Sequence, residues 1–185
     1  MKLEDIVELK SGSPQFRIKE SGTITYNFYG QQELENDLVD MEVSPENPRG
    51  ITTMDDISLL EAGDVLFSLV SGRASIVREK HQGYLYTQNY VKLIPNQISA
   101  RYLVFLLNES TAIRQQWQRE LQGTSVLKYT VRQLRDLELP PIHDYEKQKI
   151  VGDIYFNEVR LKALRIRVAE AERILTMYKL KGANI

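Results

Sequence analysis

"LPPIHDYEKQKIVGDI" occupies residues 139–154, and beyond it the chain runs on without another proline and without a glycine until Gly182. Pro140 and Pro141 lack backbone donors and disfavour helix at themselves and at Leu139, so an extended exit is predicted there. A helix is predicted next, from Tyr145 to Lys181, ~55 Å long at ~1.5 Å per residue. Alternating steps of four and three from Ile150 select Ile150, Ile154, Asn157, Leu161, Leu164, Val168, Ala171, Leu175 and Tyr178, all apolar except Asn157. Ile154, Leu161, Val168 and Leu175 fall at a positions of a heptad, and the remainder at d positions. Asp144 and Glu146 sit in the first turn and Lys179 and Lys181 in the last, each complementing the helix dipole, and Gly182 is the predicted stop. Lys147 at the third place after Asp144 leaves no capping box.

A helix that folds back on its own domain needs a broader apolar face than this two-sevenths stripe. A narrow seam suits another helix, and the chain holds no second helix of matching length. A second copy or a different protein is therefore expected to cover it.

At 185 residues with 42% apolar content, the chain can bury one core plus an appended element. The longest apolar run, Tyr102 to Leu107, is far short of the ~20 residues of a membrane span. The acidic start "MKLEDIVELK" does not suit a signal peptide, so a cytoplasmic protein is expected. With no cysteine there is no disulfide framework, thiol nucleophile or cysteine zinc site. His81 and His143 are too far apart in sequence to suggest a metal pair and read as surface or turn residues.

The net charge of -1 conceals an uneven arrangement. Residues 33–61 hold nine acids against Arg49 alone, whereas residues 62–143 hold ten Lys or Arg against six acids and residues 144–185 nine against six. A basic face is compatible with that distribution.

Along the chain, "MKLEDIVELK" gives a short starting element that meets the breakers Ser11 to Pro14. "GTITYNFYG" (residues 22–30) reads as a strand. The acidic stretch that follows, through "VSPENPRG", shows little periodicity and reads as a loop-rich excursion. Strands are predicted at Val65 to Leu69, Ala74 to Arg78 and Tyr90 to Leu93, separated by glycine turns. Ser99 can cap a helix bearing Tyr102, Leu103, Leu106 and Leu107, with Ile113, Trp117 and Leu121 continuing after a break near residues 108–111. Thr130 caps a short helix through "VRQLRDL". Strands and helices mix without a βαβ rhythm, so the predicted class is α+β: a mixed domain over residues 1–143, a coiled-coil helix over 144–181 and a tail over 182–185.

Catalytic patterns are missing. The sequence has no GxSxG, GxxxxGK[ST] or HExxH, and "GDVLFS" and "SGRAS" lack the glycine spacing of a phosphate cradle. "LPPI" lacks the polar first residue and the aromatic last residue that amino-group methyltransferases use on a flipped base, so it reads as structural. Asp55, Asp56 and Asp64 lack the lysine spacing of a nuclease site and suit turns or caps. What remains are loop residues suited to base edges and phosphates: Ser71 and Arg73, Gln88 and Asn89, and Thr124, Lys128 and Tyr129 within residues 123–129.

The order of three segments resembles the specificity (S) subunit of type I restriction-modification systems. "LEAGDVLFSLVSGRASIV" (residues 60–77) is similar to the family's Gly-Asp-Ile/Val-Leu-Phe-Ser strand and glycine turn. "ISARYLVFLLNES" (residues 98–110) is similar to its Pro-x-Tyr-Leu helix. "LQGTSVLKYTVRQLRDLELPPIHDYEKQKIVGDI" (residues 121–154) is similar to its Gly-Thr loop, Leu-Pro-Pro exit and Glu-Gln-x-x-Ile-Val helix start. Here that start is Glu146-Lys147-Gln148, one residue longer, which reads as a minor change in a solvated first turn. The family's full subunit carries two recognition domains and two helices. This chain has one of each without an internal repeat, and its start at Met1 and finish just past the helix suggest a natural half-subunit.

The resemblance implies a non-catalytic protein with a target recognition domain that binds double-stranded DNA. It implies docking with a DNA adenine methyltransferase subunit, which would bind S-adenosylmethionine, and with a restriction subunit; the chain itself needs no cofactor or metal. It further implies a homodimer through an antiparallel pair of C-terminal helices, reading a bipartite site. In a pair centred on Leu164, Asn157 faces Ala171. Two other readings stay open at this point: a coiled-coil scaffold or inhibitor without DNA binding, and an enzyme with an unrecognised site.

Overall fold

The computed structural model describes residues 1–43, 48–121 and 129–183. Its centre is an antiparallel sheet of four strands in the order β1 (Val7–Ser11), β6 (Tyr90–Pro95), β4 (Val65–Ser68), β5 (Ala74–Ile76). β6 pairs on both sides, Leu9 opposite Leu93 on one and Val65 opposite Leu93 on the other. All four residues of β4 are buried, as expected of a strand covered on both faces. A separate ribbon joins β2 (Thr25–Asn27) to β3 (Gly50–Thr52).

Alternation along the strands makes two cores. Val65, Phe67, Val91 and Leu93 point into the larger one, with Leu103 and Leu107 of α2 (Ala100–Glu109), Ile113 and Trp117 of α3 (Thr111–Leu121) and Leu134 of α4 (Val131–Asp136). Leu66 and Tyr90 point the other way, against Tyr29, Leu34, Leu60, Val77 and Tyr86. Thr130 caps α4 as predicted, and does so through a capping box, its Oγ1 accepting from Gln133 N at 3.1 Å while Gln133 Oε1 accepts from Thr130 N at 2.9 Å.

The stretch expected to be a loop-rich excursion instead begins with a helix, α1 (Gln31–Val39). Glu33 Oε2 accepts from Gly30 N at 2.9 Å, Leu34 and Leu38 lie buried one turn apart, and Asp40 closes the helix in the left-handed conformation. Two of its acids are internal: Glu33 and Asp37 are 4% and 2% exposed. Asp37 is held by His81, whose Nδ1 lies 2.7 Å from its Oδ1, and by the Tyr29 hydroxyl, which donates to Oδ2 at 2.8 Å. His81 is thus a core residue and not the surface or turn histidine expected, because a buried carboxylate gives its ring a partner. His143 is exposed, as expected.

The N-terminus and the proline exit are tied together. Leu3 N donates to Leu137 O at 2.8 Å and Leu139 N to Met1 O at 3.0 Å. Gln116 grips the same segment with both amide atoms, donating to Glu138 O at 2.8 Å and accepting from Glu138 N at 2.9 Å. The chain then enters α5 (Tyr145–Ala183), where Asp144 Oδ1 accepts from Lys147 N at 3.0 Å. The helix continues through Gly182, the predicted stop, to Ala183; nothing packs near Gly182 to force a turn.

The first half of α5 does dock on its own domain. Gln148 is 3% exposed and so is not part of a solvated first turn. Its Nε2 donates to His143 O and its Oε1 accepts from Ser99 N, both at 2.8 Å, so it satisfies an orphan donor at the start of α2. Gly152 lets the two helices touch: a Cβ there would stand 2.6 Å from Arg101 Cβ and 2.9 Å from Tyr102 N. Tyr155, Phe156 and Ala163 complete the buried face. Asn108 joins three elements by pairing with the backbone of Ala74 and donating to the Tyr155 hydroxyl at 3.0 Å. Arg160 reaches Asp40 at 2.7 Å.

The docked face is not the heptad seam. Tyr155 and Leu164 lie nine residues apart, ~2.5 turns, and therefore on opposite sides. Ile150, Ile154, Leu161, Leu164, Val168, Leu175 and Tyr178 are between 37% and 76% exposed, and Asn157 and Ala171 are exposed with them. Beyond Ala163 the docked side carries a second exposed apolar stripe, Ile166, Ile174 and Met177, because steps of eleven residues from Tyr155 and Ala163 return to the same face.

Candidate nucleic-acid interface

Among the described residues, the predicted base-reading positions Ser71, Arg73, Gln88, Asn89 and Tyr129 lie at one end of the sheet, where β4 ends and β5 and β6 begin. The β4–β5 turn is held by Ser68, whose Oγ accepts from Ser71 N at 3.1 Å and donates to Gln31 Oε1 of α1 at 3.3 Å. Gly72 takes φ +68°, and a Cβ there would collide with the Tyr129 ring. Leu69 links the neighbouring segments: its N–H donates to Asn89 O at 2.8 Å, and its carbonyl accepts from Tyr129 N at 2.9 Å. Gln88 N donates to Ser13 O at 3.0 Å, bringing the N-terminal loop alongside.

Side chains sort these positions further. Gln88 is exposed, and Asn89 lines an open groove of about 410 Å³. Arg73 is exposed but lines a different groove, with Glu109, Tyr155 and Glu158 beside α5. Tyr129 is half-buried and packs its ring against Trp117, centroids 4.9 Å apart, and Phe67 at 6.1 Å, which is a core role. Thr124 and Lys128 lie outside the described residues.

The same groove brings in residues that the sequence reading passed over. Gln15, Gln31, Gln32 and Arg49 join Thr87 and Asn89 around it, and Phe28, Tyr29 and Tyr90 supply its aromatic surface. Gln31 donates to Glu35 Oε1 at 3.1 Å, and Glu33 is turned inward on Gly30. Burial, reinforced by Glu33 and Glu35, pushes the Tyr90 phenol up to about 12. Burial and Asp37 push Tyr29 higher than its ordinary range, so both rings stay neutral donors. The missed signals were Gly30 followed three residues later by Glu33, and Leu34 one turn before Leu38.

Among the described residues no group of three or more His, Asp or Glu is placed to hold a metal ion. No described helix is long and apolar enough to cross a membrane.

The chain superimposes over 97% of its length on the crystal structure of the HsdS subunit from Thermoanaerobacter tengcongensis, with a TM-score of 0.58 and 18% identity, covering 41% of that chain. The fold is that of an HsdS subunit. A chain from a structural study of complex assembly and conformational transition in the type I R-M system gives the same picture, with a TM-score of 0.59, 16% identity and coverage of 97% of this chain and 42% of that one. This chain thus spans about two-fifths of the length of the two chains it matches. No protein-family model and no curated protein sequence matches it. The mixed domain and long C-terminal helix expected from sequence are both present.

Proposed function

We propose that this chain is a half-length specificity subunit of a type I restriction-modification system, a non-catalytic protein that binds a short DNA sequence and positions an adenine methyltransferase subunit and a restriction subunit. The fold over nearly the whole chain carries this reading, because it matches about two-fifths of an HsdS subunit more than twice as long. The loops gathered at the end of the sheet are rich in amide and hydroxyl groups suited to base edges. The open seam on α5 suits a second copy running antiparallel, which supplies the second recognition domain and makes a bipartite site. The second stripe, Ile166, Ile174 and Met177, leaves the methyltransferase subunit a surface distinct from the seam. S-adenosylmethionine belongs to that partner, and the assembly acts in the cytoplasm.

The test is duplex binding by the chain co-expressed with an adenine methyltransferase subunit of a type I system. Sequence-selective binding should weaken steeply between low and moderate salt as phosphate contacts are lost. A complex that forms but shows no salt-sensitive affinity for duplex DNA contradicts the proposal and favours a coiled-coil scaffold. Isothermal titration of the isolated chain with S-adenosylmethionine should show no heat of binding; saturable binding would point to an enzyme instead.

A further inference from the structure

Phe16 is 76% exposed although it neighbours a well-built domain, and its only described ring contact is Arg17, whose guanidinium lies 5.5 Å from the centroid. It follows Gln15, which lines the groove at the sheet end with Gln32 and Arg49. Gln15, Gln32 and Arg49 are all exposed. Their backbones are fixed. Phe28 N donates to Arg49 O at 2.8 Å, Arg17 N to Pro14 O at 2.9 Å, and Gln32 lies in the first turn of α1, whose entry Glu33 caps. The carboxylates closest to this rim do not compete for a ligand's donors, since Glu33 faces Gly30 and Glu35 accepts from Gln31.

A glutamine amide offers one donor face and one acceptor in a plane, which matches the N6 amino group and N7 of adenine in the major groove. An exposed phenyl ring matches the C5-methyl group of the paired thymine. An arginine on the same rim serves guanine or a phosphate.

We infer that Gln15, Gln32 and Phe16 are specificity-determining residues that read A·T base pairs in the major groove of the DNA half-site. This rests on the proposed DNA-binding function and assigns the readers within it. All three lie outside the positions suggested by the sequence, on the N-terminal loop and the first turn of α1. Arg49 supplies the adjoining positive charge.

The experiment uses the complete methyltransferase complex. Affinity is measured by competition for duplexes in which every base pair of the wild-type half-site is changed in turn, for the wild type and for Gln15→Ala, Gln32→Ala and Phe16→Ala. Gln97→Ala, past the far end of β6, is the control. At one A·T position each glutamine variant should lose about 5- to 150-fold of discrimination while other positions keep theirs. Replacing thymine by uracil at the contacted pair should weaken the wild type but not Phe16→Ala. Unchanged discrimination in all three variants overturns the inference, as does uniform weakening across every sequence, which marks phosphate contact only. A wild-type complex without any sequence preference instead overturns the functional reading on which the inference stands.

Discussion

Gly152 shows how much one side chain can control. A Cβ at this position meets Arg101 Cβ at 2.6 Å and the backbone of Tyr102 at 2.9 Å, so Gly152→Ala must push α5 away from α2. Overpacking of this kind costs about 1–3 kcal/mol, and thermal unfolding followed by circular dichroism should show a lower midpoint. Gly182→Ala, with nothing within 4 Å, should leave the midpoint in place. Equal midpoints for the two variants would refute the close crossing. The buried tyrosines give a pH signature. Tyr90, ordinarily at 10.0, is raised to about 12 in the fold by burial, and Tyr29 is raised as well. Folding favours the neutral phenol, so its contribution is complete below pH 10 and declines as pH rises from 10 towards 12. Absorbance titration should show these phenols ionising after the exposed ones, with stability falling across that window. Simultaneous ionisation of all ten tyrosines near pH 10 in the folded protein would contradict the burial.

At the scale of elements, α5 has two apolar sides with different work. Its docked side belongs to the domain, and its seam is open to solvent. Leu164→Glu should therefore abolish dimerisation, seen by sedimentation, while the unfolding midpoint of the domain hardly moves; a dimer that survives would remove the seam from the interface. The absence of native cysteine makes the orientation readable. In an antiparallel pair centred on Leu164, Ile150→Cys alone should not crosslink to its own copy, whereas Ile150→Cys combined with Tyr178→Cys should. Self-crosslinking at position 150 would establish a parallel pair. The heptad seam was legible because its apolar residues recur at strict steps of four and three along one helix. The docked side was not, since Gln148, Gly152, Tyr155 and Ala163 differ in polarity and size and are united only by the shapes of α2 and α1 opposite them. The same holds for α1, whose buried Glu33 and Asp37 made an internal helix look like a solvated acidic loop. β4, β5 and β6 were readable because glycine turns bracket short apolar runs. Of the site, the sequence suggested the turn at Ser71 and Asn89 but not Gln15, Gln32 or Arg49, which the β2–β3 ribbon and α1 bring to the same place from distant parts of the chain.

At the scale of the whole molecule, the slightly negative net charge is not the charge a partner meets. Glu33 and Asp37 are buried, and Asp40 pairs with Arg160, so three of the nine acids in the acidic block are internal or neutralised. In the proposed homodimer, two identical recognition domains related by a two-fold axis would read inverted copies of one half-site. The antiparallel helix pair of that dimer would set the separation between them. The proposed homodimer therefore predicts a particular symmetry of the target. The most direct measurement is single-molecule sequencing of DNA methylated in cells by the complete complex. The predicted result is methylated adenine in a palindromic motif of two short inverted halves with an unread spacer of fixed length. An undivided motif, or two halves of unrelated sequence, would contradict it.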